Sequence, residues 1–200
     1  MRWEETGVAW HPPSPNLRSI RAAELYPGFT WLEQTLVSAG RGTAAPFERY
    51  GFPYHSALKG RWMKDSIRGR PKPMTIKGLQ AKATRFTPQS QPGKAAHPKY
   101  EGSVCWGFHI QSRPDSGSQV FLAGLEVLRN FHTEYIEHHK LKDQAISEPF
   151  FKPHFERLSG TSQLREAIKA GTPPEEIYAA WQQELRAFRR LRQQFLRYPR

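Results

Sequence analysis

Residues 103–140 read SVCWGFHIQSRPDSGSQVFLAGLEVLRNFHTEYIEHHK, and the fold turns on the change of period inside them. The opening SVCWGFHIQ is a short, nearly unbroken apolar run, as expected of a strand buried on both faces. Past the Pro- and Ser-containing turn the period becomes 3.6: Phe121, Leu125, Leu128, Phe131, Tyr135 and Ile136 share one stripe of a helix between Ser118 and Lys140. Upstream, LQAKATRF (79–86) alternates as a strand does, and FTWLE (29–33) reads as a short strand. Downstream the pattern is helical. A helix from Thr161 or Ser162 to Ala170 is stopped by Gly171 at C′. A last one opens with a T-x-x-E capping box at Thr172–Glu175, and Ile177, Trp181, Leu185, Phe188, Leu191 and Phe195 follow at helical spacing. Strands first and helices last predict an α+β fold: a small mixed β-sheet with flanking helices and a helical carboxy-terminal third.

The rest of the amino-terminal part is punctuated by Pro and Gly. Asn16 is a plausible N-cap for LRSIRAAEL, and the YPG at Tyr26–Gly28 predicts that helix's end, since a residue before proline is pushed out of the α region. A helix is expected from His55 to Ile67, then a turn or exposed loop through RGRPKPMTIKG and another loop through TPQSQPGKAAHPKYEG. At 200 residues the chain can bury roughly 70% of its unfolded surface, so residues 1–200 are read as one domain. A hydrophobic share of 38%, together with helical periodicity, argues against general disorder despite a mean hydropathy of −0.71.

No apolar run approaches the roughly 20 residues of a membrane span, so no membrane partner is expected. The opening MRWEETGVAWHPPSPN has neither an apolar h-region nor a small-residue cleavage site, so nothing in it directs secretion of this chain by itself. The single cysteine, Cys105, reads as a small buried apolar residue. A formal net charge of +12 favours anionic partners: nucleic acid, a cell-wall polymer or an acidic protein.

The segment most suited to holding a ligand is EQTLVSAGRGT (33–43), where Glu33, Ser38 and Arg41 stand among small residues and Gly40 and Gly42 flank the arginine. Glycines there predict a left-handed backbone or a close approach that a Cβ would forbid. Glu33 could serve as an acid, a base or a ligand for sugar hydroxyls, or it could pair with Arg41 to pin the loop. One carboxylate is not a glycosidase site, which usually needs two. His132, Glu134, His138 and His139 are read as solvated helix surface, because His132 and His138 point to different faces of a helix and no metal is expected. Arg186, Arg189, Arg190, Arg192, Arg197 and Arg200 are read as the solvated face of an amphipathic helix. The chain has no helix-turn-helix spacing, zinc finger or RNP-like strand to present bases with a reader. No GxGxxG, P-loop, GxSxG or HExxH pattern occurs, and no cofactor is expected.

WEETGVAWHPPSPN, LYPG, LEQTLVSAGRGTAAPFERYGFP, YEGSVCWGFHI and PPEEIYAAWQQELRAFRRLRQQFLRY together resemble, in order and spacing, the carboxy-terminal half of the NamZ-type exo-β-N-acetylmuramidases. The resemblance covers nearly the whole chain. It implies a bacterial glycoside hydrolase that releases terminal N-acetylmuramic acid from peptidoglycan, with peptidoglycan fragments or muropeptides as ligands. In that family a Rossmann-like amino-terminal domain comes first and the cleft lies between the two. That domain is absent from this sequence, so the implied partner is a separate Rossmann-like domain, and this chain alone is expected to be incomplete as a catalyst. Carried over residue by residue, Glu33 becomes the catalytic candidate, and Asn16, Ser38, Arg41, Gly42 and Thr43 the substrate-binding ones, with the glycines letting the backbone approach a sugar. The family's Gly-Thr-Asn after the glutamate is here Gln34, Thr35 and Leu36, and the basic loops around Lys72 and Lys94 are unlike those of typical members. Arg41 suits the lactyl carboxylate of muramic acid as a bidentate partner. The rival class is a basic nucleic-acid- or polyanion-binding module on the same fold.

Overall fold

The structure, a computed structural model, describes residues 3–54, 61–70, 72–115, 117–143, 145–146 and 148–197. Its centre is a four-stranded sheet of β1 (Arg49–Phe52), β2 (Pro73–Ile76), β3 (Leu79–Phe86) and β4 (Cys105–Ile110) in the order β1-β4-β3-β2. The α+β expectation holds, and where a mixed sheet was expected all three pairings are antiparallel. LQAKATRF and SVCWGFHIQ form β3 and β4, registered through Ala83 opposite Phe108. β2 lies inside the stretch read as a turn or exposed loop. Pro73 is tolerated because it is the first residue of an edge strand, where a missing N–H costs little. The hairpin to β3 turns on Lys77 and Gly78, both with positive φ (46° and 87°), as a tight two-residue hairpin requires.

Helix α1 (Ile20–Phe29) starts at Ser19, whose Oγ accepts from the Ala22 amide at 3.0 Å, so Ser19 and not Asn16 is the N-cap. Nor does the helix stop at YPG. Pro27 removes one donor, but the Thr30 N–H reaches Tyr26 O and the last turn closes. Residues Thr30–Gln34, expected as a strand, form a 3-10 turn that buries Trp31 and Leu32 side by side. Of the helix expected at 55–67, α2 covers Arg61–Ile67, and 55–60 lie outside the described residues.

The long helix α3 (Gly117–Leu141) appears where the period predicted it. Its Phe131 ring packs edge-on against Phe52 at 4.9 Å and near-parallel to Phe108 at 6.0 Å, joining helix to sheet. α1 crosses α3 so closely that a Cβ on Gly124 would fall 1.7 Å from Gly28 O, which is why both positions are glycine. The side chains of Leu25, Phe29, Leu128, Phe155 and Leu164 complete a continuous core.

Three short helices follow, α4 (Phe155–Ser159), α5 (Gln163–Lys169) and α6 (Pro174–Ala180), and then α7 (Gln182–Arg192). α5 ends as expected: the Gly171 N–H donates to Ile168 O and the Thr172 N–H to Ala167 O. That closure takes Thr172 out of the capping box. Pro173 becomes the N-cap of α6, with no side-chain cap, and Pro174 takes N1. The last helix is also interrupted at Trp181. Ile177 is buried, but no residue of α7 is, so the predicted apolar stripe exists and its second half is uncovered. Among the described residues no helix is long and apolar enough to cross a membrane.

The histidine cluster corrects the surface reading. Glu134, His138 and His139 are buried: the Tyr54 ring packs against both histidines, the Tyr135 ring of the same helix packs against His139, and Phe150 packs against Tyr135. The His132 ring meets Phe150 at 5.3 Å and Phe151 at 5.5 Å, and burial lowers its pKa, with Lys169 adding to the effect. Cys105 is fully buried, and desolvation pushes its thiol up to about 12.

Candidate functional site

After the 3-10 turn the chain bends at Leu36 between isolated bridges at Thr35 (to Phe151) and Ser38 (to Gly51), and its backbone groups face two edges. On one edge the Leu36 N–H donates to Phe150 O at 3.0 Å, and the Ser38 N–H donates to Gly51 O of β1 at 2.7 Å. On the other edge the carbonyls of Glu33, Thr35 and Val37 converge on one ammonium group. Lys99 Nζ donates to them at 3.4, 2.6 and 2.9 Å. Desolvation, helped by the nearby Lys152 and opposed by the pull of Glu33 and Glu148, lowers the Lys99 pKa to about 8. Lys99 came from a loop in which a lysine looks like any solvated cation. The sequence held no signal for its role.

The glycines then fold the chain back. Gly40 and Gly42 have φ of 71° and 78°. A Cβ on Gly40 would meet Arg49 O at 2.8 Å, and one on Gly42 would meet Gln89 O at 2.5 Å. The close approach predicted for them is real, and it is to the chain's own backbone: the Gln89 N–H donates to Gly42 O at 2.9 Å, tying the glycine loop to the loop after β3. Thr43 braces the same turn. Its buried Oγ1 donates to Gly40 O at 2.7 Å and accepts from the Ala45 N–H at 3.2 Å. Ser38 Oγ accepts from the Gly40 N–H at 3.3 Å.

Between the two loops opens a polar cleft of about 380 Å³. Glu33, Ser38, Ala39 and Arg41 form one wall, and Lys94, Ala95, Ala96, His97, Pro98 and Lys99 the other. Glu33 and Arg41 are paired at 2.6 Å through Oε2 and Nη2, and the Tyr26 hydroxyl donates to Glu33 Oε1 at 3.0 Å. Both carboxylate oxygens are thus acceptors. Arg41 stays half exposed, with its guanidinium carbon 5.2 Å from the centre of the Phe47 ring, and its other N–H groups have no protein acceptor among the described residues. Asn16 is buried behind the second wall, where Nδ2 donates to Lys94 O at 2.7 Å and Oδ1 has no partner.

Glu33, Ser38 and Arg41 are therefore brought together at the cleft, while Asn16, Gly42 and Thr43 shape it from behind. Leu36, the apolar departure from the family pattern, is buried in the core and does not line the cleft. Sequence reasoning missed Tyr26, Lys99 and the Lys94–Pro98 wall. Among the described residues no group of three or more His, Cys, Asp or Glu side chains is placed to hold a metal ion. Chemically, the cleft offers cations and hydrogen-bonding groups around one paired carboxylate, an arrangement suited to a small polar anion.

The sequence profile of the family "Exo-beta-N-acetylmuramidase NamZ, C-terminal" matches residues 24–198. The chain is 26% identical over 198 residues to the peptidoglycan β-N-acetylmuramidase NamZ of Bacillus subtilis (strain 168), covering 99% of this chain and 42% of the relative. It also superposes on the crystal structure of a DUF1343 family protein from Bacteroides fragilis NCTC 9343 with a TM-score of 0.68 and 30% identity, covering 94% of this chain and 43% of that one. The chain thus spans less than half the length of either relative.

Proposed function

The chain belongs to the family of the carboxy-terminal domain of the exo-β-N-acetylmuramidase NamZ, and from that premise we propose that it is the cleft-lining, sugar-binding half of a peptidoglycan glycoside hydrolase. The ligand of the Glu33–Arg41 cleft is then a terminal N-acetylmuramic acid. One observation carries this reading: Glu33, Ser38 and Arg41, separated by small residues in the sequence, line one polar cleft that Lys94 and Lys99 also line, the Lys99 ammonium being held by the carbonyls of Glu33, Thr35 and Val37. Muramic acid differs from its neighbours in the glycan by a lactyl carboxylate. Arg41 commits Nη2 to Glu33 and keeps further N–H groups for a carboxylate to fork onto. Glu33 is the catalytic candidate. It is also the one carboxylate among the described residues lining the cleft, so hydrolysis needs a second from elsewhere, and the portion of the relatives outside the match is where we place it.

The test is Arg41→Lys, read by calorimetry on two sugars. A point-charge ammonium cannot reproduce two parallel bonds, so binding of N-acetylmuramic acid should weaken by about 1.5–3 kcal/mol, while N-acetylglucosamine, lacking the lactyl group, should bind almost unchanged. Equal losses for both sugars with a lowered melting temperature would make Arg41 a loop brace and send the reading back. The polyanion-binding alternative has the exposed Arg186, Arg189 and Arg190 in its favour. An oligonucleotide complex that muropeptides fail to displace would establish it.

A further inference from the structure

Residues 61–86 carry eight Lys and Arg side chains and one acid, Asp65, and the fold gathers five of those cations. α2 ends in a closed turn: the Arg68 N–H donates to Lys64 O at 3.2 Å, the Gly69 N–H to Ser66 O at 3.0 Å and the Arg70 N–H to Asp65 O at 3.0 Å. Gly69 takes the left-handed conformation, φ 68°, that such a helix end favours. Lys64 and Arg68 are a like-charged i, i+4 pair, destabilising by itself. The chain then passes along β3, where the Ala83 N–H donates to Lys72 O at 3.2 Å. Two residues on, Arg85 reaches the turn: its guanidinium carbon lies 3.8 Å from where a Cβ on Gly69 would sit. Lys64, Arg68, Arg70, Lys72 and Arg85 are all exposed, and none has a carboxylate partner among the described residues. Keeping the edge strand β2 from pairing with other chains explains a lysine such as Lys72 and leaves the three arginines unexplained.

We propose that these five side chains form a docking surface for a phosphodiester-linked anionic polymer of the cell wall, separate from the sugar cleft. The proposal rests on the peptidoglycan reading above, which puts the domain at the wall, and adds a second way of holding it there. None of the five lines the cleft, so polymer and sugar can be held at once. The chemistry of the cluster selects the occupant. Three of the five are arginines, whose forked guanidinium groups match pairs of phosphate oxygens. Several exposed cations side by side suit a chain of repeated charges, whereas a lone carboxylate would engage one of them. Among the described residues, no large apolar side chain of 61–86 is exposed. The surface therefore offers neither an apolar group to enter a lipid layer nor a ring to stack on unpaired bases. Duplex nucleic acid also presents rows of phosphates, and the test separates it.

The test is cosedimentation of this chain with cell walls bearing poly(glycerol phosphate), and with the same walls after hydrofluoric acid has cleaved their phosphodiesters. Retention on the intact walls and not on the stripped ones is expected. Arg68→Gln/Arg70→Gln/Arg85→Gln should weaken binding roughly tenfold, the sum of three exposed charge contacts of ordinary strength. Its thermal unfolding should match the parent's, because all three side chains are exposed. Arg186→Gln/Arg189→Gln/Arg190→Gln removes the same charge from α7 and should bind as the parent does. Absence of binding overturns the proposal, and so does equal binding to stripped walls. An equal loss in the two variants overturns it in favour of net charge alone. Duplex DNA bound more tightly than the walls, and lost in the Arg68, Arg70 and Arg85 variant, overturns it in favour of nucleic acid. Sugar selectivity in Arg41→Lys is measured without walls, so the cleft reading and the docking surface can fail independently.

Discussion

Lys99 places an ammonium group against three carbonyls at the back of the cleft, and the cost of burying it is visible in its titration. Desolvation brings its pKa to about 8 from the ordinary 10.5. Between those values the unfolded chain holds a proton that the folded chain has released, so stability contributed at this position rises with pH across that window. Urea unfolding should show the parent gaining on Lys99→Met, on the order of 3 kcal/mol, as pH climbs from about 8 to 10.5; a constant difference would mean that Lys99 titrates normally. Glu33, Ser38 and Arg41 could be read in the sequence because small residues and glycines isolate them. Lys99 could not, since its role depends on carbonyls 64 and 62 residues away, and carbonyls look alike in any sequence.

Elements were legible where the apolar period ran long enough to be unambiguous, as in β3, β4, α3 and α5. β1 and β2 have four residues each, and Gly51 and Pro73 dilute what pattern four residues can carry. The 3-10 turn at Thr30–Gln34 was missed because two adjacent buried residues, Trp31 and Leu32, imitate a strand. What joins the elements is partly ionic. Glu48, buried at the head of β1, accepts hydrogen bonds from Ser19 and Arg21 at the start of α1, with His109 Nε2 of β4 at 3.4 Å. Burial alone would raise the pKa of this carboxyl, but His109, Ser19 and Arg21 outweigh it and hold the group at about 2. A folded-state pKa below the ordinary value gives stability that is complete above about 4.5 and is lost as pH falls towards 2. Glu48→Gln should flatten that acid limb, by on the order of 3 kcal/mol between neutral pH and pH 2, in denaturant melts followed by circular dichroism. An unchanged acid limb would place the responsible carboxylate elsewhere.

At the scale of the whole molecule the strands-then-helices order was legible, and the uncovered half of the last helix was not. Periodicity tells which residues want company and is silent on whether the chain itself provides it. The cleft has one carboxylate among its described lining residues, whereas the glycosidase reading proposed above needs two. We expect this chain alone to leave a chromogenic N-acetylmuramic acid glycoside intact over hours at neutral pH. Steady turnover abolished by Glu33→Gln would show that the catalytic centre is complete without help. The tie between Gly42 and Gln89 also bears on how the molecule comes into being. It closes a loop of chain that also contains β1 and β3, and the contact of Asn16 with Lys94 O spans 78 residues. Contacts so distant along the chain repay their closure entropy only after the strands between them have found their places. The cleft is therefore among the last features to assemble on the way to the native state, and a nascent chain emerging from the ribosome has no binding site until almost all of its sheet has been made.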